Sequence, residues 1–288
     1  MSLRKICCAG ESNVKGSYFM KSVWLQENKW EDVERYLQKK KTIIVPVGSV
    51  EQHAKHLPLG TDSFVANKVA EDLGQQTDTL VAPPNWVGWA PHHMAFPGTI
   101  TLRPETLISL MYDICKSLIY HGFEKIIIIN GHREANLPPL KIAITKLRNE
   151  TGAFLAIADP FYIAKKIGGE IKKSEPGGAG HADEMETSHM LHLMPELLEM
   201  DKAVRNIHLK HPFLQHDPFV EGDTIFVPSD VAGYREGSKN IGVVGDPTVS
   251  TAENGKTYHR ELMKNLIEFV RYCEEEVEVT IRKREIPL

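Results

Sequence analysis

Four consecutive isoleucines, Ile126, Ile127, Ile128 and Ile129, set between Lys125 and Asn130, constrain this chain more than any other segment. β-branched side chains favour extended backbone. An apolar run that does not alternate must bury both faces of its strand, which is the environment of a parallel sheet covered by helices on both sides. Thr42-Ile43-Ile44-Val45-Pro46-Val47-Gly48 reads the same way, closed by a glycine that permits a sharp exit. Leu80-Val81-Ala82 and residues 154–158 read as two further strands.

Helical spacing lies between and around these runs. Trp30, Val33 and Leu37 predict a short helix over residues 29–40. Thr61 or Asp62 is placed to cap a helix through Val65, Val69 and Leu73. Pro104 starts a helix over residues 105–120. Further helices are expected over 140–148, over 186–194 up to Pro195, and from about 251 to about 273. Residues 1–20 read as an irregular arm and residues 208–234 as irregular or hairpin-like. Strands alternating with helices predict a three-layer α/β/α fold with a mainly parallel central sheet, and the absence of repeats or a low-complexity linker predicts one domain over residues 1–288.

Composition narrows the function classes. Hydrophobic residues make up 42% and charged residues 25%, which fits a globular protein and argues against disorder. Lys plus Arg number 34 against 38 Asp plus Glu, so no basic excess points to nucleic acid. No apolar run reaches the length of a membrane span. Cys7, Cys8, Cys115 and Cys273 form no CxxC pair, so a disulfide framework is not expected and a reducing cytoplasm is the expectation.

Three motifs carry the chemistry. They are Glu51-Gln52-His53 followed by Asp62, Asn130-Gly131-His132-Arg133-Glu134, and His181 followed by Glu186-Thr187-Ser188. Their Glu, His and Asp side chains are the usual ligands of zinc or manganese. They are too many for one structural zinc and suit two metals that share a carboxylate. In open α/β sheets ligands bind beyond the carboxyl ends of strands, where the first two motifs fall. Glu51 and His53 are two apart, so an extended segment points them the same way, and His132 with Glu134 repeats that spacing. Asp62, at a helix start, is placed to bridge two ions. His181 follows Pro176-Gly177-Gly178-Ala179-Gly180, read either as a loop that closes over substrate or as a plain connection. Glu186 opens a helix, where a carboxylate also favours the dipole.

Other histidines rank lower. His189 and His192 read as helix surface or subunit contact. His208, His211 and His216 lack carboxylates at matching spacing. His92-His93 reads as pocket lining, and Phe96-Pro97-Gly98-Thr99 as a structural turn. The chain has no HExxH, Walker A, Rossmann glycine or GxSxG signature, and Cys115 sits inside a predicted helix, a poor place for a nucleophile.

The combination resembles the creatininase family. The segments that match are Val45-Pro46-Val47-Gly48-Ser49-Val50-Glu51-Gln52-His53, His56-Leu57-Pro58-Leu59-Gly60-Thr61-Asp62, Phe96-Pro97-Gly98-Thr99, Asn130-Gly131-His132, His181, Glu186-Thr187-Ser188 and Gly245-Asp246-Pro247. The resemblance implies an α/β/α fold, a small-molecule substrate, a homo-oligomer of hexameric type, and two divalent ions, zinc or manganese, with iron an alternative. It implies Glu51, His53, Asp62, His132 and Glu134 as metal ligands, with Asp62 bridging and Glu134 also catalytic. It matches His181 to the histidine of ring opening and Glu186 to an acidic position that orients His181 or the water.

The chain also departs from creatininase. A tryptophan and an aspartate that contact creatinine just before the histidine stand here as Gly177 and Gly178, and all four tryptophans precede residue 90. Arg133 replaces an aromatic and reads as a partner for a substrate carboxylate or phosphate, or as surface charge. Arg133, His93 and Gly178 are thus the candidate substrate residues. The expected activity is hydrolysis of a cyclic amide or related C–N bond by a metal-activated water. The alternatives are hydrolytic C–C opening of a cyclic polyol ketone such as a keto-inositol, and a non-catalytic metal-binding assembly protein, whose mark would be a broken ligand set.

Overall fold

The isoleucine run forms β3 (Lys125–Asn130), the partner of β1 (Thr42–Val47) over its whole length, from Thr42 opposite Lys125 to Val47 opposite Asn130. With β2 (Leu80–Val81) and β4 (Phe154–Ala158) they make a parallel sheet in the order β2-β1-β3-β4. The computed structural model describes residues 21–207, 217–219, 225 and 227–285, so the expected arm over 1–20 and the tract of His208, His211 and His216 lie outside the described residues.

The helices are α1 (Trp30–Leu37), α2 (Thr61–Thr77), α3 (Pro104–His121), α4 (Arg133–Thr151), α5 (Pro160–Ile163), α6 (Lys165–Ile171), α7 (Glu184–Leu193), α8 (Val231–Gly237) and α9 (Ala252–Glu275). Side chains of β1 and β3 alternate between two cores, as the two-residue period of a strand requires. Ile43, Val45, Val47, Ile126 and Ile128 pack with residues of α1, α3 and α4. Ile44, Ile127 and Ile129 pack with residues of α2, α7 and α9. The result is the expected three-layer α/β arrangement. Among the described residues no helix is long and apolar enough to cross a membrane.

The topology creates the site. From β1 the chain crosses through α2 to β2 on one side, and then through α3 to β3 on the other side of β1. The order therefore switches between β1 and β3, and ligands bind at such a switch, beyond the carboxyl ends. Val47 and Asn130 are opposite one another at those ends. The crowding there is severe: a Cβ on Gly131 would lie 2.1 Å from the carbonyl oxygen of Asp62, and one on Gly48 would lie 2.3 Å from the Ser63 hydroxyl. Glycine at both positions lets the first turn of α2 rest on the two strand ends.

Several boundaries differ from expectation. α4 begins at Arg133, with Pro138 and Pro139 inside it, rather than at residue 140. Those prolines remove two ladder hydrogen bonds. The first turns are held instead by buried Asn136, which accepts from Trp89 N at 2.9 Å and donates to Gly48 O at 3.0 Å. Glu134 therefore sits on a helix, not on an extended segment that repeats the Glu51 and His53 spacing. α2 is preceded by Gly60 as its cap, while Thr61 donates its hydroxyl to Pro58 O and Asp62 turns inward. α7 starts at Glu184 under an Asp183 cap that accepts from Met185 N and Glu186 N. Residues 231–234, the end of the stretch expected to be irregular or hairpin-like, instead begin α8.

His189 is not surface. It is buried in the α7–α9 seam and bonded to His259 at 3.0 Å, and His259 lies 3.2 Å from Asp72 of α2. A Cβ on Gly255 would fall 1.8 Å from Ser188 O, so the backbones of α7 and α9 touch there.

Candidate active site

Beyond β1 the chain leaves as a loop whose Glu51 N donates to Leu59 O, and Ala54 takes a left-handed φ of 59°. This path aims Glu51 and His53 into one buried space, with Asp62 entering from the start of α2 and His132 from the N-cap of α4. Asp62 stands between the histidines: Oδ1 is 3.2 Å from His53 Nε2 and Oδ2 is 3.0 Å from His132 Nδ1. Glu51 Oε2 lies 3.0 Å from His132 Nε2, and Oε1 lies 3.1 Å from His93 Nε2. From α7, Glu186 Oε2 reaches within 3.9 Å of His53 Nε2 and accepts from Ala182 N at 2.7 Å. Its side chain is 34% exposed, which marks the open edge of the site.

Three histidines share one device. His53 gives Nδ1 to Glu51 O at 3.2 Å, His132 gives Nε2 to Trp89 O at 3.2 Å, and His181 gives Nε2 to Gln52 O at 2.7 Å. A nitrogen that donates to a backbone carbonyl leaves the other as a bare lone pair, the arrangement of metal-ligating histidine. Those other nitrogens face the carboxylates. Potential ligand atoms of Glu51, Asp62 and His132, of His53, Asp62 and Glu186, and of Glu51, His53 and His181 each lie within 4.8 Å of one another. Glu51 Oε1, His53 Nε2 and Asp62 Oδ2 are buried without a hydrogen bond of proper geometry. Orphaned buried atoms of this kind call for an explanation, and a divalent cation supplies one.

Without a cation the group stores protons. Burial pushes Glu51 up to about 8, against the pull of His132. Burial opposes charge on His53 and His132, but the neighbouring carboxylates win and hold them at about 10 and about 9. Burial likewise works against the Asp62 anion, yet His53 and His132 draw it below the ordinary carboxylate range. Burial, then Asp183, raises Glu186 to about 7. His181 is pushed well below its usual value by burial and by His53, so it is neutral.

Gln52 organises the rim. Its Oε1 accepts from Ala54 N at 3.0 Å, and its Nε2 lies 3.0 Å from His93 Nδ1, 3.0 Å from the Tyr234 hydroxyl and 3.1 Å from Gly242 O. Gly242 has φ +82°, and a Cβ there would lie 1.9 Å from Gln52 Oε1. His93 is buried with its ring 4.3 Å from that of His181. The His92 ring lies 4.1 Å from that of His93, tilted by 42°. Phe96-Pro97-Gly98-Thr99 is a turn with Gly98 at φ +94°, and Thr99 links Gln52 N to His93 O.

The remaining candidates sit as follows. Arg133 lies over the Phe161 ring at 4.7 Å. Gly178 is in a buried turn, donating to Glu175 O and accepting from Asp246 N, and a Cβ there would meet Ser174 Cβ at 2.5 Å. Glu134 is in the first turn of α4, and its side chain lies outside the described residues. Thr187 and Ser188 brace the helix: Thr187 bonds His56 at 2.9 Å, and Ser188 accepts from Thr251 N at 3.1 Å. Sequence reasoning gave no role to Gln52, Tyr234 or Asp183. Only Asp183 left a signal, because Asp183 and Glu186 have the spacing of a capping box.

The family model for creatinine amidohydrolase matches residues 26–270. The chain belongs to the creatininase family. It is 31% identical over 265 residues to the 3-dehydro-scyllo-inosose hydrolase of Thermotoga maritima, covering 86% of this chain and 83% of that protein. It is 29% identical over 235 residues to the mycofactocin precursor peptide peptidase of Mycolicibacterium smegmatis, covering 80% of this chain and 84% of that protein. Creatininase structures of Zn–Zn type and with Mn share the fold, with TM-scores of 0.71 and 0.72 at 23% and 22% identity, covering 88% and 87% of this chain and 98% of each. As a creatininase-family chain it is a hydrolase, and its His, Glu and Asp groups are of a kind able to bind metal.

Proposed function

We propose that the chain opens a small polyhydroxylated ring ketone by hydrolysis, with two divalent ions, zinc or manganese, in its site. The observation that carries the metal reading is the set of three histidines pinned to backbone carbonyls while their free nitrogens meet Glu51, Asp62 and Glu186. Glu51, Asp62 and His132 would hold one ion, and His53, Asp62 and Glu186 the other, with Asp62 shared. Such ions lower the pKa of a bound water to about 7 and polarise a carbonyl.

This chain's own groups do the rest. Glu186, at the open edge, orients the attacking water. The water oxygen bonds to the ring carbonyl carbon, and the adjacent C–C bond breaks. The electron pair goes to a carbon flanked by a second carbonyl, so a 1,3-dicarbonyl ring is the fitting substrate. His181 Nδ1, bare and facing Glu51 at 3.7 Å, takes the proton from water and returns it to that carbon. The ring-ketone reading is supported by the inosose hydrolase relative and by a rim of Gln52, His92, His93 and Tyr234. The second reading, cyclic-amide hydrolysis, has the same attack with nitrogen as leaving atom, and is favoured by the family's creatinine amidohydrolases.

The test strips the protein with a chelator, restores zinc or manganese, and assays a 1,3-diketo-inositol beside creatinine. Ring-ketone turnover that returns with metal supports the reading. Turnover indifferent to chelation, or creatinine turned over while the ketone is inert, overturns it.

Metal uptake is expected to release protons. His53 at about 10 and His132 at about 9 are protonated at pH 7 in the cation-free protein, and a cation needs their lone pairs. Apparent affinity therefore rises with pH through this range and levels off above it. Titration calorimetry in two buffers of different ionisation enthalpy reads the release directly. Equal heats in both would contradict the ligand assignment.

A further inference from the structure

We propose that Tyr234 contacts the substrate and sets ring specificity, its hydroxyl donating a hydrogen bond to a ring oxygen remote from the reacting carbonyl. The inference rests on the small-ring reading above and adds a recognition element from a different part of the chain.

Tyr234 is the one residue of the seven in α8 that is not exposed. Its ring enters the rim, 4.8 Å from His92, 4.8 Å from His93 and 6.4 Å from His181. The hydroxyl oxygen accepts from Gln52 Nε2 at 3.0 Å. Its own proton finds no acceptor among the described residues. The hydroxyl is therefore held by one bond with its donor left over, above the space bounded by His93 and His181. Glu51 and Glu186 both act on it electrostatically, which places the phenol within the field of the acids on either side of the site.

The hydroxyl is not needed to fasten α8. Arg235 does that, donating to Ala95 O at 2.7 Å and lying over the Phe96 ring at 5.2 Å. Asp230 caps the helix through Gly233 N. Nor does Gln52 depend on the phenol, since Gly242 O stands 3.1 Å from the same Nε2 to take the hydrogen. A buried hydroxyl that serves neither the helix nor the hub has a polar ligand as its remaining use. Such a donor favours a ring bearing hydroxyl or carbonyl oxygens over a bare hydrocarbon ring.

The experiment compares metal-loaded wild type with Tyr234→Phe on a 1,3-diketo-inositol and on cyclohexane-1,3-dione. The quantity read is the ratio of kcat/KM for the hydroxylated ring to that for the bare ring. One neutral hydrogen bond predicts that the ratio falls by roughly three- to tenfold in Tyr234→Phe, mostly through KM, with metal content unchanged. An unchanged ratio overturns the proposal, as does a ratio preserved while both rates fall together. If wild type opens neither dione but does open cyclic amides, the ring-ketone reading has failed. The tyrosine is then judged by the same ratio on hydantoin against 2-pyrrolidinone. A wild type inactive on all four rings overturns the proposal as well.

Discussion

Asp62→Ala is expected to empty both ion positions and to lower turnover by about 10³-fold or more, since one carboxylate serves both groups of ligands. The loss should show in metal content before it shows in kinetics. The substitution also changes the cation-free protein. Asp62 lies between His53 and His132 and helps hold their protons against burial, so its removal leaves two buried imidazoles that must either stay charged without their partner or give up their protons. Breaking a buried pair of this kind costs about 3–5 kcal/mol. Urea unfolding of the stripped protein should register it. Asp62→Asn separates the effects, because it keeps the volume and loses the charge. Retained metal with near wild-type turnover in Asp62→Ala would remove the basis for a shared carboxylate.

Gly131→Ala is expected to cripple the site without altering any candidate ligand. The new Cβ would lie 2.1 Å from Asp62 O and 3.1 Å from Ala66 Cβ, and the nearer contact is main chain, which no side-chain rotation can clear. The first turn of α2 must lift off the end of β3, and Asp62 lifts with it. A shift of about 1 Å in a positioned group costs on the order of 10²-fold in rate. The overpacking itself should cost about 1–3 kcal/mol. Turnover of the metal-loaded variant, with its unfolding midpoint, checks both. Wild-type turnover in a folded Gly131→Ala would show that the carboxylate does not depend on this contact.

How far residues alone revealed this arrangement varied with the kind of signal. β1 and β3 were legible because an apolar run has few other uses, and their pairing put Glu51, His53 and His132 at one end of the sheet. Asp62 was legible as an acid at a helix start, read both as a cap and as a bridge between ions; Gly60 takes the cap position and Asp62 faces the histidines. The start of α4 was hidden by Pro138 and Pro139, since the bonds that compensate come from Asn136 to loops far away in sequence. Gly177 and Gly178 were read either as part of a loop that closes over substrate or as a connection. Gly177 sits at φ +89° and a Cβ on Gly178 would meet Ser174, so backbone conformation and space favour glycine there whichever role the loop has. Tyr234 left no trace, because a seven-residue helix carries too little periodicity to announce which side chain turns inward.

The carbonyls of Glu51, Gln52 and Trp89 that orient His53, His181 and His132 have a consequence for how this site tolerates change. A carbonyl belongs to every residue type, so no replacement of those three side chains deletes the acceptor. The direction of each lone pair is inherited from the path of the main chain, and only a change in that path can turn it. Side chains at the rim can therefore be exchanged widely, altering which molecules enter, while the inner nitrogens keep pointing at the same place.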